Sequence, residues 1–469
     1  MIAILCAAST VLSAQQLTGF SAADAAAYRA AERTAVARPD PARARELSRV
    51  LSAETHIAGT PAQAVTRDYV IAQMKAMGLA TEVRAYDIWM PHPTAIEVWA
   101  NGEALDLREG ALAADATSGR TNEPLPINGY SGSGDVRAEV VYVNYGLVED
   151  YRTLDSLGVS VRGKIAVARY GRSFRGIKAR EAEKHGAVAL LIYSDPADDG
   201  YVQGDVYPEG PWRPANGIQR GSVMNGAGDP STPGYPSRAG APRVPLAQMP
   251  VPRIPVVPIG YGNASKLLRT VRGTAIPRGW QGGLDFRYHV GPGPSVARVR
   301  VVTDTATTPF KTVWNTFGVV RGSEFPDEIV IIGGHRDAWG PGAGDNVGGI
   351  VSVLESARAV AEQMKSGWKP KRTLMFATWD AEEWGLIGST EYVEEDSLRL
   401  MRGGVAYFNQ DGAGGGPNLG GGGSPSLRGL LRDVARSIPH PDVPAKSLYD
   451  MWRTQQRVKD GDEVAMGDP

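Results

Sequence analysis

Apolar and polar positions follow one another in a repeated pattern in the second half of the chain. Residues 329–332 are four consecutive apolar residues, typical of a buried strand. The Gly333-Gly334 pair predicts the end of that strand just before His335, and Asp345 follows ten residues later. A helix is predicted next, because apolar residues then recur at a 3.6-residue period. These positions are Ile350, Val353, Leu354, Ala357, Val360, Ala361 and Met364.

Two further apolar runs end in acidic residues. Residues 372–378 are followed by Glu382 and Glu383, and residues 404–409 are followed by Asp411. In open α/β sheets, ligands bind at the edge where strands end. One acidic residue after a strand is ordinary, but three acidic strand ends in succession, with a histidine and a doubled glutamate, predict a binding site.

The residue types at these strand ends suit metal chemistry. Imidazole and carboxylate groups are ligands for zinc, and one carboxylate can bridge two ions about 3.5–4 Å apart. Of Glu382 and Glu383, one can bind metal while the other takes a proton from a metal-held water. Asp337 is expected to accept the second ring N–H of His335. The structural alternative makes His335 a core histidine and Asp337 a turn residue.

The first half of the chain has a different pattern. Residues 21–80 are expected to be helical, and residues 82–83 and 86–89 to be strands. Between residues 94 and 309 we expect a β-rich region with strands at 139–143, 164–169 and 187–193 and a helix at 176–185. Residues 225–258 contain nine prolines, which indicates long irregular loops. The histidines before residue 310, at positions 56, 92, 185 and 289, have no partner at metal-ligand spacing and are expected to be structural.

Composition and charge narrow the function. The 469 residues allow about three domains by length, and 42% hydrophobic content is enough for a sizeable core. Lys and Arg number 50 against 51 Asp and Glu, so no electrostatic case exists for nucleic acid. Residues 1–14 predict a secretory signal peptide, with a buried amino-terminal helix as the alternative. Cys6, the only cysteine, lies there, so a mature chain has no thiol ligand or nucleophile.

Several long segments carry a family resemblance: GGHRDAWGPGAGDN (333–346), TLMFATWDAEEWGLIGSTEYVEE (373–395), YFNQD (407–411), HIAGTPAQ (56–63) and NGAGDPSTPGYP (225–236). They resemble the co-catalytic zinc aminopeptidase family, in the branch with glutamate carboxypeptidase II and the transferrin receptor. The resemblance implies an α/β fold with a mixed, mainly parallel sheet flanked by helices and an inserted β-rich protease-associated (apical) domain. It divides the chain into a signal peptide (1–14), a first peptidase segment (15–93), the insert (94–309) and a second, truncated peptidase segment (310–469).

The resemblance also implies roles for individual residues. His335 and Asp411 would bind one zinc, Glu383 the other, Asp345 would bridge them, and Glu382 would be the general base. Arg175 would bind a substrate carboxylate, with an ordinary surface arginine as the alternative. A structural calcium ion would have the four ligands Thr232, Tyr235, Glu391 and Glu394, although spacing alone favours a solvated helix face for the two glutamates.

The sequence departs from this branch in two places. Ser222 stands where the glutamate-specific member has an asparagine, and the loop at 412–423 has eight glycines and no arginine, which weakens the case for acidic substrates. In that branch a histidine roughly a hundred residues beyond the last aspartate completes the second zinc site, and the last histidine of this sequence, His440, comes too early to match. The sequence is expected to be either a fragment or a degenerate member. One zinc site is therefore expected to be nearly complete and the other one ligand short.

The leading hypothesis is a secreted or periplasmic two-zinc exopeptidase, either a carboxypeptidase or an aminopeptidase, acting on dipeptides or short peptides. The mature chain is expected to have no membrane span, and the full-length protein to form a homodimer. The alternatives are a non-catalytic binding protein like the transferrin receptor and an inactive fragment. A serine hydrolase or single-zinc HExxH protease lacks its motif here.

Overall fold

A computed structural model of the chain describes residues 17, 20–115, 118, 124–414 and 416–467. The predicted signal peptide at 1–14 lies outside these residues. The chain falls into two compact units. One comprises the described parts of Met1–Asp40, Arg358–Trp368 and Gly414–Pro469, and the other comprises Pro41–Ala357 and Lys369–Ala413. Among the helices in the described ranges, none has the length and apolar character that crossing a bilayer requires.

The helices in chain order are α1 (Ala22–Val36), α2 (Pro41–Leu51), α3 (Pro61–Ala76), α4 (Val148–Ser156), α5 (Arg175–Lys184), α6 (Pro196–Asp199), α7 (Tyr261–Leu268), α8 (Gly348–Lys365), α9 (Ile387–Gly403), α10 (Pro425–Ser437) and α11 (Leu448–Gln455). Local sequence explains their starts. The hydroxyl of Thr60 caps α3, and Pro61 occupies its first turn, where no N–H partner is needed. The helical prediction for residues 21–80 thus resolves into α1, α2 and α3.

The strands in chain order are β1 (Ala80–Trp89), β2 (Pro93–Ala100), β3 (Glu103–Ala104), β4 (Asn128–Gly129), β5 (Gly134–Tyr142), β6 (Ile165–Arg169), β7 (Ala189–Tyr193), β8 (Gly221–Ser222), β9 (Val256–Ile259), β10 (Thr274–Ala275), β11 (His289–Gly291), β12 (Val296–Thr303), β13 (Phe310–Val320), β14 (Phe325–His335), β15 (Arg372–Trp379) and β16 (Gly404–Asn409). The predicted strands at 372–378 and 404–409 are confirmed within one residue at each end. The two short strands expected at 82–83 and 86–89 form the single strand β1.

A five-stranded sheet with the order β1-β13-β15-β14-β16 carries the strand ends of interest. The pairs β1–β13 and β13–β15 are antiparallel, whereas β15–β14 and β14–β16 are parallel. The sheet is therefore mixed, as predicted, with its parallel part confined to the three strands that end in polar residues. Its core includes Phe317, Ile329, Met375 and Tyr392.

The prediction that Gly333-Gly334 ends the strand is wrong. Strand β14 continues through both glycines, which pair with Ala377 and Thr378 of β15, and ends at His335. A Cβ atom at position 334 would lie 2.7 Å from the carbonyl oxygen of Gln410. The glycines therefore allow close approach of neighbouring backbone rather than a turn.

A second sheet has seven strands in the order β3-β2-β12-β5-β6-β7-β9, all between residues 93 and 303. Strands β5, β6, β7 and β9 are parallel, and β6 and β7 are buried at every position. The proline-rich stretch 225–258 is irregular, as predicted, apart from a short 3₁₀ turn at Leu246–Gln248 and the start of β9. Pro258 fits there because β9 is an edge strand.

Candidate metal centre

Three neighbouring strand ends and one helix start bring the predicted site residues together. His335 is the last residue of β14, and Asp345 lies between β14 and α8. Glu382 and Glu383 follow β15, and Asp411 follows β16. Because these three strands are adjacent and parallel, their carboxyl ends meet at one edge of the sheet.

The imidazole of His335 is the centre of the cluster. Its Nε2 atom lies 3.0 Å from Asp345 Oδ1, 3.5 Å from Asp411 Oδ1 and 3.8 Å from Glu382 Oε2. One candidate ligand atom from each of His335, Asp345 and Asp411 lies within 4.8 Å of the other two. His335 is 2% exposed, whereas the side chains of Asp345 and Asp411 are 69% and 44% exposed. The buried imidazole is therefore fixed in place, while the two exposed carboxylates are accessible to a ligand from solvent.

Asp337 supports this centre differently from the prediction. The Nδ1–H of His335 donates to the backbone carbonyl oxygen of Asp337 at 3.0 Å, while the Asp337 carboxylate lies 3.6 Å from Nδ1. That carboxylate accepts the backbone N–H groups of Glu382 and Glu383 at 2.9 and 3.2 Å. Asp337 thus orients the imidazole through its carbonyl and holds the glutamate pair through its side chain.

The protonation equilibria show an excess of negative charge. Burial would lower the pKa of His335, but the carboxylates of Asp337, Asp345 and Asp411 raise it well above its usual range. Burial raises the pKa of Glu382 to about 7 and that of Glu383 to about 8, with the neighbouring carboxylates adding to the effect. A divalent cation would neutralise this charge, and the imidazole and carboxylate donors fit zinc.

A cavity of about 570 Å³ opens beside the cluster. Asp345 and Glu383 form part of its wall, together with Trp339 and three arginines. Arg213 pairs with Asp199 at 2.7 Å, and Arg220 pairs with Glu109 at 2.7 Å. The three arginines of the wall are Arg175, Arg213 and Arg220.

Arg175 differs from the other two arginines. Its Nη1 atom donates to the carbonyl oxygen of Ser222 at 3.3 Å, and its guanidinium lies 5.5 Å from the Phe174 ring centre. Within the described residues it contacts no carboxylate. Among the described residues of its wall, the cavity therefore presents one cation that is available to an anionic ligand.

Comparisons with known proteins found two matching family models and a set of curated relatives. Residues 315–441 match the model of Peptidase family M28, and residues 136–225 match the PA domain. The chain is 39% identical over 417 residues to the probable glutamate carboxypeptidase VP8 of Zea mays, covering 86% of this chain and 55% of that protein. It is 34% identical over 439 residues to the aminopeptidase NAALADL1 of Mus musculus, covering 88% of this chain and 58% of that protein.

The chain therefore contains a domain of peptidase family M28 and a PA domain. The matches confirm the predicted family resemblance. The peptidase M28 precursor of Shewanella amazonensis is 16% identical with a TM-score of 0.54, covering 87% of this chain and 79% of that one, and it shows the shared fold. The chain spans little more than half the length of the two curated relatives.

The two glutamates predicted to bind calcium contact the loop that carries Thr232 and Tyr235. Glu391 is buried and accepts the N–H groups of Asp229 at 2.8 Å and Ser237 at 2.6 Å. Glu394 accepts the N–H of Gly234 at 3.0 Å, and Tyr235 donates its hydroxyl to Pro242. The buried atoms Thr232 Oγ1 and Glu394 Oε2 have no hydrogen-bond partner among the described residues.

A buried ion pair beside the centre was not predicted from the sequence. Arg336 is 1% exposed and lies 3.2 Å from Asp380, which is fully buried. Its guanidinium also donates to Thr378 Oγ1 and to the carbonyl oxygen of Trp314. The available signal was the presence of two charged residues directly after apolar strands.

Four of the five remaining histidines make local contacts: His56, His92, His185 and His440. His56 is buried near Asp337, with Nδ1 bonded to the Glu54 carbonyl oxygen. The ring of His92 stacks on Trp384 at 4.8 Å, and that of His185 stacks on Tyr151 at 4.3 Å. His440 Nδ1 accepts the N–H groups of Asp442 and Val443, which close a turn.

Proposed function

We propose that this chain is a secreted or periplasmic zinc-dependent exopeptidase, similar to glutamate carboxypeptidases, that hydrolyses dipeptides or short peptides. The observation that carries the proposal is the convergence of Asp345, Asp411 and Glu382 on His335 Nε2, within 3.8 Å. Location and dimerisation of the full-length protein are components of the same proposal and rest on the sequence alone.

Each residue of the centre has a distinct task in this proposal. His335 and Asp411 would hold one zinc ion, Asp345 would be shared with a second site, and Glu383 would contribute to that second site. Bound zinc supplies Lewis acidity to the peptide carbonyl and to the attacking water. The Glu382 carboxylate also approaches His335 Nε2 but is not assigned as a ligand. It would therefore take a proton from the attacking water and pass it to the leaving amine.

The second site has fewer donors than the first. Glu383 and Asp345 both line the cavity, and burial, together with the charges of Asp337 and Asp345, raises the pKa of Glu383. The proposal therefore assigns tight zinc binding to the site with His335 and weaker binding to the other.

The domain division at 14, 93 and 309 is retained, since all seven strands of the second sheet lie between residues 93 and 303.

Arg175 supports a preference for substrates with a free carboxylate. A planar guanidinium binds a carboxylate through two parallel hydrogen bonds, and this one has no competing acid among the described residues. We therefore favour carboxypeptidase over aminopeptidase activity. Because the mouse relative is named an aminopeptidase, aminopeptidase activity is the alternative.

A panel of three substrates distinguishes these activities: a dipeptide, its N-acetyl derivative and its C-terminal amide. We expect cleavage of the first two and a reaction at least tenfold slower with the amide. Arg175→Met should remove this preference, whereas Arg213→Met, which leaves the cavity's free cation in place, should keep it. Cleavage of the amide but not of the acetylated substrate would show an aminopeptidase, and no cleavage at all would favour a non-catalytic binding protein or an inactive fragment.

We also propose that Thr232, Tyr235, Glu391 and Glu394 surround a structural calcium ion. Calcium takes oxygen ligands only, and two buried oxygen atoms in this group have no hydrogen-bond partner among the described residues. An ion there would join the loop at 229–237 to helix α9.

A further inference from the structure

Asn346 connects three of the segments that carry the candidate ligands. Its side chain is 1% exposed and lies directly after Asp345. The amide Nδ2 atom donates to the carbonyl oxygen of His335 at 3.3 Å and to that of Gln410 at 2.9 Å. The amide Oδ1 atom accepts the N–H groups of Gly349 and Gly412, each at 3.2 Å.

These four hydrogen bonds have a clear geometric result. Gln410 and Gly412 flank Asp411, so Asn346 holds the backbone on both sides of that ligand. The bond to His335 fixes the last residue of β14, and the bond to Gly349 fixes the first turn of α8. One buried amide therefore sets the spacing between His335, Asp345 and Asp411.

Only an amide satisfies all four partners. Two of them are carbonyl oxygens, which need a donor, and two are N–H groups, which need an acceptor. An aspartate would face two carbonyl oxygens with a carboxylate oxygen, and an apolar residue would leave four backbone groups without this partner. The glycine at 334 allows the close approach, because a Cβ atom there would lie 3.1 Å from Asn346 Nδ2 and 2.7 Å from the Gln410 oxygen.

We propose that Asn346 is a positioning residue that sets metal affinity and turnover by fixing the three ligands relative to one another. The inference rests on the proposed zinc-peptidase function. Groups that orient metal ligands without touching the metal change affinity or activity by roughly 10–100-fold when they are replaced. Among the described residues, none of the four hydrogen-bond partners of Asn346 lines the cavity, so substrate binding should be largely independent of it.

The test compares Asn346→Asp with Asn144→Asp. Asn144 is a buried asparagine of the seven-stranded sheet region whose amide Nδ2 also donates to an oxygen, Asp150 Oδ1, at 2.8 Å. Zinc affinity is measured by competition with a chelator, and coordination geometry by the visible absorption of the cobalt-substituted protein. Circular dichroism and thermal melts monitor folding of each variant.

We expect Asn346→Asp to weaken zinc binding at least tenfold, to change the cobalt spectrum, and to lower kcat with KM within about twofold of the wild type. Asn144→Asp should lower thermal stability with zinc affinity and cobalt spectrum unchanged. If Asn346→Asp does not fold, Asn346→Ser, which introduces no charge, should show the same direction of change in both metal readouts.

Two results would overturn the proposal in different ways. Zinc affinity and a cobalt spectrum equal to those of the wild type in a folded Asn346 variant would make the residue merely structural and leave the peptidase proposal intact. A wild-type chain that bound neither zinc nor cobalt would overturn the proposed function and the role of Asn346 together.

Discussion

The carboxylate of Asp337 accepts the backbone N–H of Glu382 at 2.9 Å. Its other oxygen accepts the N–H of Glu383 at 3.2 Å, while its backbone carbonyl receives the ring N–H of His335. A single residue therefore joins the strand end that carries the imidazole to the loop that carries both glutamates. The proposed general base and the proposed ligands are placed by backbone contacts as much as by their own side chains.

Asp337→Asn tests this link. The substitution keeps the backbone carbonyl that orients His335 but replaces one oxygen acceptor with an amide donor, which opposes a backbone N–H. We expect kcat and zinc affinity to fall by roughly 10–100-fold, with little change in the overall fold. Steady-state kinetics and chelator competition measure the two effects. Activity and affinity equal to those of the wild type would show that the glutamate loop needs no such support.

The buried pair of Arg336 and Asp380 is expected to be important for stability. Removing one partner of a buried ion pair typically costs about 3–5 kcal/mol, because the other charge is left uncompensated. Asp380→Asn should lower the free energy of unfolding by about that amount in urea titrations. The pair itself is 1% and 0% exposed.

Asp135→Asn is the matched control for that prediction. Asp135 pairs with Arg298 at 2.6 Å, but both side chains are more than 40% exposed. Exposed pairs contribute about 0–1 kcal/mol, so this variant should unfold close to the wild type. Equal effects of the two substitutions would contradict the assignment of the buried pair.

Acid sensitivity is expected from His92. Burial lowers its pKa to about 4, from an ordinary value of about 6.5. Between these two pH values His92 is protonated in the unfolded state but neutral in the folded state. The free energy of unfolding therefore decreases as pH falls from about 6.5 towards 4. Between pH 7 and pH 5 this group should contribute a loss of about 2 kcal/mol.

His92→Phe keeps a flat ring against Trp384 but cannot take up the proton. The variant should lose about 2 kcal/mol less free energy of unfolding than the wild type over that pH interval. Urea titrations at the two pH values give the comparison. Parallel losses in both proteins would assign the acid sensitivity to other groups.

Calcium should raise thermal stability if the proposed site is real. We expect added Ca²⁺ to increase the melting temperature of the wild type but not of Glu394→Gln, which loses the carboxylate with the unpartnered oxygen. Glu395→Gln serves as the control, because Glu395 accepts the Tyr86 hydroxyl and lies outside the proposed set. A calcium response that survives in Glu394→Gln would remove this residue from the site.

The sequence pattern was sufficient to predict those helices and strands whose apolar residues have a clear period and whose length is typical of the element. The strand at 404–409 and the helix after Asp345 follow directly from that pattern, and so does their meeting at one sheet edge. The glycine pair at 333–334 was misread, because a glycine that permits close packing and a glycine that ends a strand look the same in a sequence.

The finer structure of the centre could not be predicted for a related reason. Asn346 and Asp380 act through hydrogen bonds to backbone groups that are distant in sequence. Such bonds produce no periodic pattern and no fixed residue spacing in the sequence. The role of Asp337 was predicted at the level of the residue, but the choice between its carbonyl and its carboxylate depends on loop geometry. Sequence reasoning therefore found the chemical groups and missed much of what holds them.

Glu382 is proposed to drive zinc-dependent peptide hydrolysis at His335, Asp345, Glu383 and Asp411. The most direct measurement is zinc content by elemental analysis together with dipeptide hydrolysis, in the wild type and in Glu382→Gln. We predict bound zinc in both proteins and a rate at least about 100-fold lower in Glu382→Gln. A wild-type chain without zinc and without turnover, or a Glu382→Gln variant as active as the wild type, would contradict the claim.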